Sequence, residues 1–196
     1  MSLTAIYFKN PRKNKLFVTV AILLSYFFTL PYRIFCPRRV RFGRNFITNW
    51  KLKIIGPGKV IFGDNVHAWA RHEPNCFFTF STDATITIGN NTRLNGVGCH
   101  SQSGITIGSN CIVGSAIITD TDHHSLSFDR ATNLDATPRS RRVKIEDNAW
   151  IAGQSAVLKG TTVGNNSIVA FRAVVAGDVT PSTVVAGNPA RVVKRL

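Results

Sequence analysis

Two adjacent histidines, His123 and His124, stand beside two carboxylates, Asp120 and Asp122, in one short polar stretch of the chain. A neutral imidazole has a pKa of about 6.5, so it can take a proton from a reacting group at neutral pH. A neighbouring aspartate can fix the imidazole tautomer by accepting a hydrogen bond from the other ring nitrogen, and a backbone carbonyl can do the same. An aspartate there can equally cap a turn. The stretch is a candidate for proton-transfer chemistry.

The elements that must position these groups follow from a repeat of six residues. Helices repeat near 3.6 residues and strands near 2, so neither period explains a sustained six. This spacing is typical of a stacked β-helix, in which each short strand contributes one inward aliphatic side chain per flat face. The residues that carry the unbroken spacing are Ile145, Ile151, Val157, Val163, Val169 and Val175.

Weaker copies of the same unit occur upstream, such as Ile-Thr-Ile-Gly at 86–89 and again at 105–108. A β-branched residue suits a short buried strand, and the Gly and Asn that follow tolerate the positive φ of a tight corner. Three units close one coil of about 18 residues. Ile107 and Ile145 are 38 residues apart, which leaves about 20 residues for a loop at about 120–142. A loop of this length in a repeat protein is often functional.

The positive charge of the chain is concentrated near its beginning. Lys and Arg number 24 against 10 Asp and Glu, which gives a net charge of +14. Residues 1–60 hold 12 of the bases and no acid, whereas residues 61–196 hold the other 12 bases and all 10 acids. The first third of the chain is therefore where an anionic partner is expected.

An apolar run from Leu16 to Leu30 lies inside this basic region. A helix over the run would reach roughly 22 Å, short of a bilayer core of about 30 Å. Bases on both sides of the run suit the surface of an anionic membrane through residues 1–41. The alternative is a helix that packs on the β-helix or between subunits. We expect no nucleic-acid partner, because the bases flank the apolar run instead of alternating with stacking aromatics.

The four cysteines, Cys36, Cys76, Cys99 and Cys111, are widely spaced. No Cys-x-x-Cys pair is present, so neither a zinc knuckle nor a redox dithiol is indicated. We expect reduced thiols in a cytosolic protein.

Three segments give the chain a family resemblance. They are Thr-Asp-Thr-Asp-His-His-Ser-Leu at 119–126, Asn-Ala-Trp-Ile-Ala-Gly-Gln at 148–154 and Val-Ala-Gly-Asn-Pro-Ala-Arg-Val-Val at 185–193. With these segments the chain resembles the hexapeptide-repeat acyltransferases, which include galactoside, maltose and xenobiotic acetyltransferases. The resemblance covers residues 84–196 strongly and 40–83 weakly.

The resemblance implies an all-β fold, a left-handed parallel β-helix of hexapeptide repeats over residues 40–196. Residues 1–39 are then a helical, apolar appendage, and the segment at about 120–142 is a long external loop. The resemblance also implies a homotrimer with acyl-CoA bound in a groove between subunits. A flat aliphatic face can bury itself only against a copy, and a prism alone lacks a concave site.

The catalytic residues implied by the resemblance lie at the loop and on the coil after it. His124 falls at the position of the family's general base, with His123 as the alternative one residue earlier. Asp122 is a candidate for orienting the imidazole. The backbone N–H of Gly153 corresponds to the donor that stabilises the tetrahedral oxyanion.

Acceptor-binding candidates follow from the same resemblance. Asn95 matches an asparagine that contacts the acceptor in sugar acetyltransferases, although it could be a corner asparagine. Asp120 is a further candidate, with turn capping as the alternative. Trp150 could line the groove or cover a corner of the prism.

The phosphates of CoA call for basic side chains along the groove. The candidates are Lys159, Arg172, Arg191 and Lys194, and Gly153 would also border the thioester. Phe171 and Arg172 depart from the family, which has a small residue and Gly at these places. Phe171 could narrow the acyl tunnel or stack on adenine.

The sequence therefore predicts an acetyl-CoA-dependent O-acetyltransferase without a metal, acting on a saccharide or glycolipid-linked acceptor at the cytoplasmic face of the cell membrane. Two alternatives stay open. A γ-type carbonic anhydrase shares the fold but needs three zinc-binding histidines, and His67 and His72 are five residues apart. A non-catalytic scaffold tethered to a membrane by the basic segment is the other.

Overall fold

A computed structural model describes residues 15–133 and 138–196, without the side chains of residues 15–18. The beginning of the predicted appendage and residues 134–137 of the predicted loop lie outside this part. In the described part of the chain the first element is helix α1 (Lys15–Phe35), and the elements after it are strands. The predicted helical appendage followed by β structure is confirmed.

The strands form three sheets that together make a triangular prism, the predicted parallel β-helix. Sheet A holds β1 (Val40–Phe42), β4 (Lys59–Phe62), β7 (Thr85–Ile88), β10 (Ile105–Ile107), β13 (Val143–Ile145) and β16 (Thr162–Val163). Sheet B holds β2 (Ile47–Thr48), β5 (His67–Ala68), β8 (Arg93–Leu94), β11 (Ile112–Val113), β14 (Trp150–Ile151), β17 (Ile168–Val169), β19 (Thr183–Ala186) and β20 (Arg191–Arg195). Sheet C holds β3 (Leu52–Ile55), β6 (Asn75–Thr79), β9 (Gly98–Ser101), β12 (Ile117–Thr119), β15 (Ala156–Val157) and β18 (Val174–Val175).

The chain visits sheets A, B and C in turn, so each coil adds one strand to each sheet. Neighbouring strands pair in parallel with matched repeat positions, as Ile105 with Ile86 and with Val143. The exception among the described strands is β20, which folds back antiparallel on β19. We name the three long edges of the prism by the sheets that they join: AB, BC and CA.

The inward aliphatic residues form a continuous core along the prism axis. All six residues of the unbroken repeat are buried, from Ile145 at 0% exposure to Val175 at 2%. Each such side chain contributes about 1.5–3 kcal/mol when it leaves water. The repeat of six thus fixes which side of each strand faces inward.

Asparagines form the corners of edge AB, as the repeat predicts. Asn65, Asn91, Asn148 and Asn166 all have positive φ, between 58° and 59°. Their amides bond from coil to coil, with Asn65 Nδ2 donating to Asn91 Oδ1 at 3.1 Å and Asn148 Nδ2 to Asn166 Oδ1 at 2.8 Å. This ladder satisfies the corner amides and keeps the coils in register.

Helix α1 covers the N-terminal end of the prism with its small and hydroxyl-bearing face. Ala21, Ser25 and Thr29 are buried. Ser25 Oγ accepts from Thr48 N at 2.8 Å on the first coil, and Thr29 Oγ1 donates to the Ser25 carbonyl at 2.8 Å. Ser25 and Thr29, two polar residues within the apolar run, therefore lie on the packed face. In the described residues no helix is both long and apolar enough to cross a membrane.

The predicted external loop leaves edge CA between β12 and β13. Its two ends are tied together, because Thr121 pairs antiparallel with Ser140 and Arg141 N donates to the Asp120 carbonyl at 2.8 Å. In the described part of the loop beyond this neck, the Phe128 side chain is fully exposed. These backbone bonds of the neck fix the conformation of the residues next to His123 and His124.

Candidate functional site

The predicted site residues separate onto two edges of the prism. Edge CA carries the loop histidines and a carboxylate–lysine pair: Asp122, His123, His124 and Lys159. Edge BC carries the groups expected at the thioester: Asn95, Gly153, Phe171 and Arg172. Sheet C lies between these edges, and one face of six residues spans at most roughly 20 Å. A single chain therefore holds its histidines and Gly153 at the two opposite edges of sheet C.

The imidazole of His123 is held by a hydroxyl at the base of the loop. Its Nε2 lies 3.2 Å from Thr119 Oγ1. The same hydroxyl lies 3.1 Å from the Thr121 carbonyl oxygen and accepts from the Thr121 N–H at 3.3 Å. When the hydroxyl gives its single proton to that carbonyl, Nε2 carries hydrogen and donates to Oγ1. In this tautomer Nδ1 keeps its lone pair, which is the state that a general base needs.

Two aromatic side chains border the His123 ring. The ring centroids of Phe80 and His100 each lie 5.4 Å from that of His123, with interplanar angles of 87° and 85°. Rings attract in this perpendicular arrangement because a positive edge meets a negative face. Burial, and then the nearby His123, lowers the pKa of His100. His100 is therefore neutral at pH 7, where a lowered histidine pKa leaves the ring unprotonated.

The two loop histidines differ in how well they are fixed. His123 adopts φ 63°, a left-handed backbone that is uncommon outside glycine but that His, like Asn and Asp, adopts more often than other residues. His124 is also exposed, but within the described residues its side chain makes no hydrogen bond, ion pair or ring contact. The side chain that the sequence favoured as base is thus the less constrained of the two.

Asp120 does not face a solvent-accessible site. Its side chain is fully buried. Its carboxylate accepts from Gln102 N at 2.6 Å, Ser103 N at 2.9 Å and Ser101 Oγ at 2.8 Å, and also from Gly104 N. The candidate role in acceptor binding is corrected to the alternative, a turn-capping carboxylate, because its lone pairs are taken by the turn after β9.

Asp122 and Lys159 form an ion pair on edge CA. Their side chains are only 19% and 26% exposed. Asp122 Oδ2 is buried and has no partner among the described residues. Lys159, predicted as a phosphate ligand, is thus engaged beside the loop neck, and Asp122 is not bonded to either imidazole.

Edge BC presents backbone donors that nothing in the described chain accepts. The corner N–H groups of Ser115, Gly153 and Phe171, on successive coils, form no hydrogen bond within the described residues. On edge AB the matching groups are satisfied by side chains: Ser109 N donates to Asp147 Oδ1 at 2.7 Å. A free N–H on a half-buried glycine is what an oxyanion donor requires.

The remaining candidates lie around this row of donors or on sheet B. The Arg172 guanidinium lies 5.2 Å over the Phe171 ring and donates to Gln154 Oε1 at 2.7 Å. Asn95 is exposed and accepts from Arg71 N at 3.0 Å, as a corner asparagine would. Trp150 is half exposed on the outer face of sheet B.

The basic C-terminal candidates lie on β20, the strand that pairs antiparallel with β19 at the end of sheet B. Arg191 and Lys194 are both exposed on β20. Neither is in an ion pair with a described residue, so both are available to an anionic ligand.

The described residues contain no group of three or more His, Cys, Asp or Glu side chains placed to hold a metal. His67 lies on β5 and His72 in the insertion after it. All four cysteines are free thiols, and burial raises the pKa of Cys111 to about 11.

Sequence reasoning missed Thr119, Phe80 and His100. The strand register provides the missing signal, because Phe78, His100 and Thr119 are direct neighbours on β6, β9 and β12. The alternation in each strand then turns all three side chains to the same outer face.

Comparison with known proteins agrees with the β-helix fold. The family profile of bacterial transferase hexapeptide repeats (six repeats) matches residues 142–177. The Escherichia coli protein WbbJ, assigned by its name to lipopolysaccharide biosynthesis O-acetyl transfer, is 27% identical over 80% of this chain and 71% of its own length. Galactoside O-acetyltransferase of E. coli is 27% identical over 69% of this chain, which spans only 56% of that enzyme.

A solved structure extends the likeness to almost the whole fold. The hexapeptide-repeat acetyltransferase VCA0836 of Vibrio cholerae, complexed with acetyl coenzyme A, superposes with a TM-score of 0.59 at 22% identity, over 93% of this chain and 90% of its own. At this identity the match shows the fold alone. The chain is thus a hexapeptide-repeat β-helix protein similar to the acetyltransferases of that fold, which confirms the resemblance predicted from its sequence.

Proposed function

We propose that the protein transfers an acetyl group from acetyl-CoA to a hydroxyl of a saccharide or a glycolipid-linked saccharide. The observation that carries the proposal is the His123 imidazole, which is exposed, fixed by Thr119 and left with a free Nδ1. The named activities of WbbJ and galactoside O-acetyltransferase support the reaction class, and the acetyl-CoA complex of VCA0836 supports the donor.

In the proposed reaction a loop histidine acts as general base, and the geometry supports His123 over His124. Nδ1 takes the proton of the acceptor hydroxyl as the oxygen attacks the thioester carbonyl carbon. The N–H of Gly153 donates a hydrogen bond to the resulting oxyanion. Collapse breaks the carbon–sulfur bond, and the imidazolium returns its proton to the departing thiolate. The products are the acetyl ester and free CoA thiol.

The separation of the two edges supports a homotrimer. A site that uses both His123 and Gly153 needs edge CA of one copy beside edge BC of the next, and a ring of three copies repeats this contact at each seam. The exposed Arg172, Arg191 and Lys194 then supply positive charge for the CoA phosphates.

The test of the reaction is release of free thiol from acetyl-CoA with a panel of saccharides. We expect turnover that depends on the acceptor hydroxyl and on the assembled oligomer. Absence of turnover with every acceptor, together with retained membrane binding, would favour the tethered scaffold.

We also propose that helix α1 docks on an anionic membrane at the cytoplasmic face. Its outward side is a stripe of large apolar residues at helical spacing, including Leu23, Phe27 and Ile34. Beside the end of the helix, Arg38, Arg39, Arg41 and Lys59 line a cleft of about 140 Å³. None of these four is in an ion pair with a described residue. An apolar stripe beside unpaired bases matches a lipid surface with anionic headgroups.

Replacing Arg38, Arg41 and Lys59 by glutamine should weaken binding to vesicles that contain phosphatidylglycerol. Each base near an anionic surface contributes about 1 kcal/mol, so the partition coefficient should fall about 10²-fold. Co-sedimentation measures the effect, and Arg93→Gln on sheet B is the matched control. Equal binding by the triple variant and the control would rule out this docking surface.

A further inference from the structure

The outer face of sheet C places a second histidine next to His123. His100 lies on β9 between Phe78 of β6 and Thr119 of β12. Its neighbour Cys99 points into the core and is fully buried, so the alternation turns His100 outward. Thr119, whose hydroxyl orients His123, and His100, whose ring borders it, thus lie side by side on adjacent strands.

Phe80, His100 and His123 form a cluster of mutually perpendicular rings. The centroids of Phe80 and His100 are 6.5 Å apart with an interplanar angle of 87°, and each is 5.4 Å from His123. Phe78 adds a further ring 6.2 Å from His100. A ring contacted from two perpendicular sides has little freedom to turn about its side-chain bonds.

We propose that His100 is a positioning residue, which with Phe80 confines the His123 ring so that Nε2 meets Thr119 and Nδ1 faces the reacting hydroxyl. This inference rests on the proposed role of His123 as the general base. His100 itself is only half exposed within a strand, whereas His123 is exposed at the loop, so the proton is taken by His123.

The charge of His100 matters as well as its shape. When His123 becomes an imidazolium, a cation at His100 would repel it. Burial and the neighbouring His123 lower the pKa of His100, so His100 stays neutral at pH 7 and offers an aromatic ring instead. The other groups at His123 are the uncharged Thr119 and Phe80, and the nearby Asp122 is neutralised by Lys159.

Nitrogen-15 NMR of histidine-labelled full-length protein tests the proposal without any acetyl transfer. In the wild type, neutral His123 should be the Nε2–H tautomer. His100→Phe keeps a ring and should keep this tautomer, whereas His100→Ala should give a mixture of both. His100→Lys places a fixed positive charge beside His123, which should disfavour the imidazolium.

The kinetic counterpart is the pH profile of acetyl transfer. His100→Ala should lower kcat about tenfold with little change in KM for acetyl-CoA, since orientation of the base is lost and donor binding is not. His100→Phe should stay within about threefold of the wild type, and His72→Ala is the control histidine. His100→Lys should move the acidic limb of kcat/KM to lower pH.

An unchanged His123 tautomer in His100→Ala, together with an acidic limb of kcat/KM that does not move in His100→Lys, would overturn the positioning role. Inactivity of the wild type with every acceptor would instead contradict the proposed function, while the NMR comparison would still decide the effect of His100 on His123. Thermal unfolding of each variant separates a folding defect from a change in the ring, and His100→Phe covers the case in which His100→Ala does not fold.

Discussion

Replacing His123 by alanine is expected to lower kcat for acetyl transfer about 10²–10⁴-fold, the usual contribution of a positioned general base. The imidazole is exposed, held through Nε2 by Thr119 and flanked by Phe80 and His100. Alanine removes the proton acceptor and leaves these supports in place. The KM for acetyl-CoA should change little, because the ring acts on the acceptor hydroxyl.

His124→Ala is the matched control for this substitution. The neighbouring histidine makes no hydrogen bond, ion pair or ring contact within the described residues, so its loss should leave kcat within about threefold of the wild type. Steady-state thiol release measures both variants. A larger loss in His124→Ala than in His123→Ala would return the base to the residue that the sequence favoured.

Replacing Gly153 by proline is expected to lower kcat about 10²–10³-fold, the cost of losing one oxyanion donor. Proline removes the N–H that is unbonded in the described chain and keeps the corner. Gly153 precedes Gln154 at φ 56°, and Pro181 already precedes Ser182 at φ 53° in another corner. The backbone therefore accepts proline at the first position of this turn.

Gly153→Ala separates the N–H from the size of the side chain. Its Cβ would lie 3.7 Å from the nearest atom of Phe171, an ordinary contact, and the N–H is kept. We expect activity within about threefold of the wild type for alanine, against the large loss for proline. Equal losses in the two variants, with unchanged thermal stability, would show that the N–H is not the donor.

The architecture could be predicted because the repeat itself encodes it. Aliphatic residues six apart from Ile145 to Val175 can be buried together only in a coil with one inward residue per face. The corner asparagines could also be predicted, because few residues other than Asn and Gly accept positive φ. The upstream coils vary in length, with 26 residues from Phe62 to Ile88. These insertions made the repeat irregular in the sequence, although the strands still pair in register.

From the sequence the site could be assigned to a segment of the chain, but not to individual residues. The family resemblance pointed to the histidine pair and favoured His124, because the positive φ of His123 and its contact with Thr119 are set by the loop neck and cannot be read from the sequence. Asp120 looked like a site carboxylate and is instead buried under three backbone N–H groups. His100 is 23 residues from His123 in sequence, and strand register alone brings it close.

The apolar run near the start shows a further limit of sequence patterns. Hydropathy indicated a helix, but not which side packs inward. The buried side is small and hydroxyl-bearing, with Ala21, Ser25 and Thr29, and the large residues Leu23 and Phe27 face outward. The packing and membrane hypotheses thus apply to opposite faces of one helix.

The central claim is that each site combines edge CA of one copy with edge BC of the next. Co-assembly of His123→Ala chains with Gly153→Pro chains tests it directly, because every chain then lacks one of the two groups. Random mixing in equal amounts pairs an intact His123 with an intact Gly153 at about a quarter of the seams of a cyclic oligomer. The account predicts recovery of about a quarter of wild-type kcat from two inactive variants. Mixed oligomers that stay as inactive as either parent would contradict it.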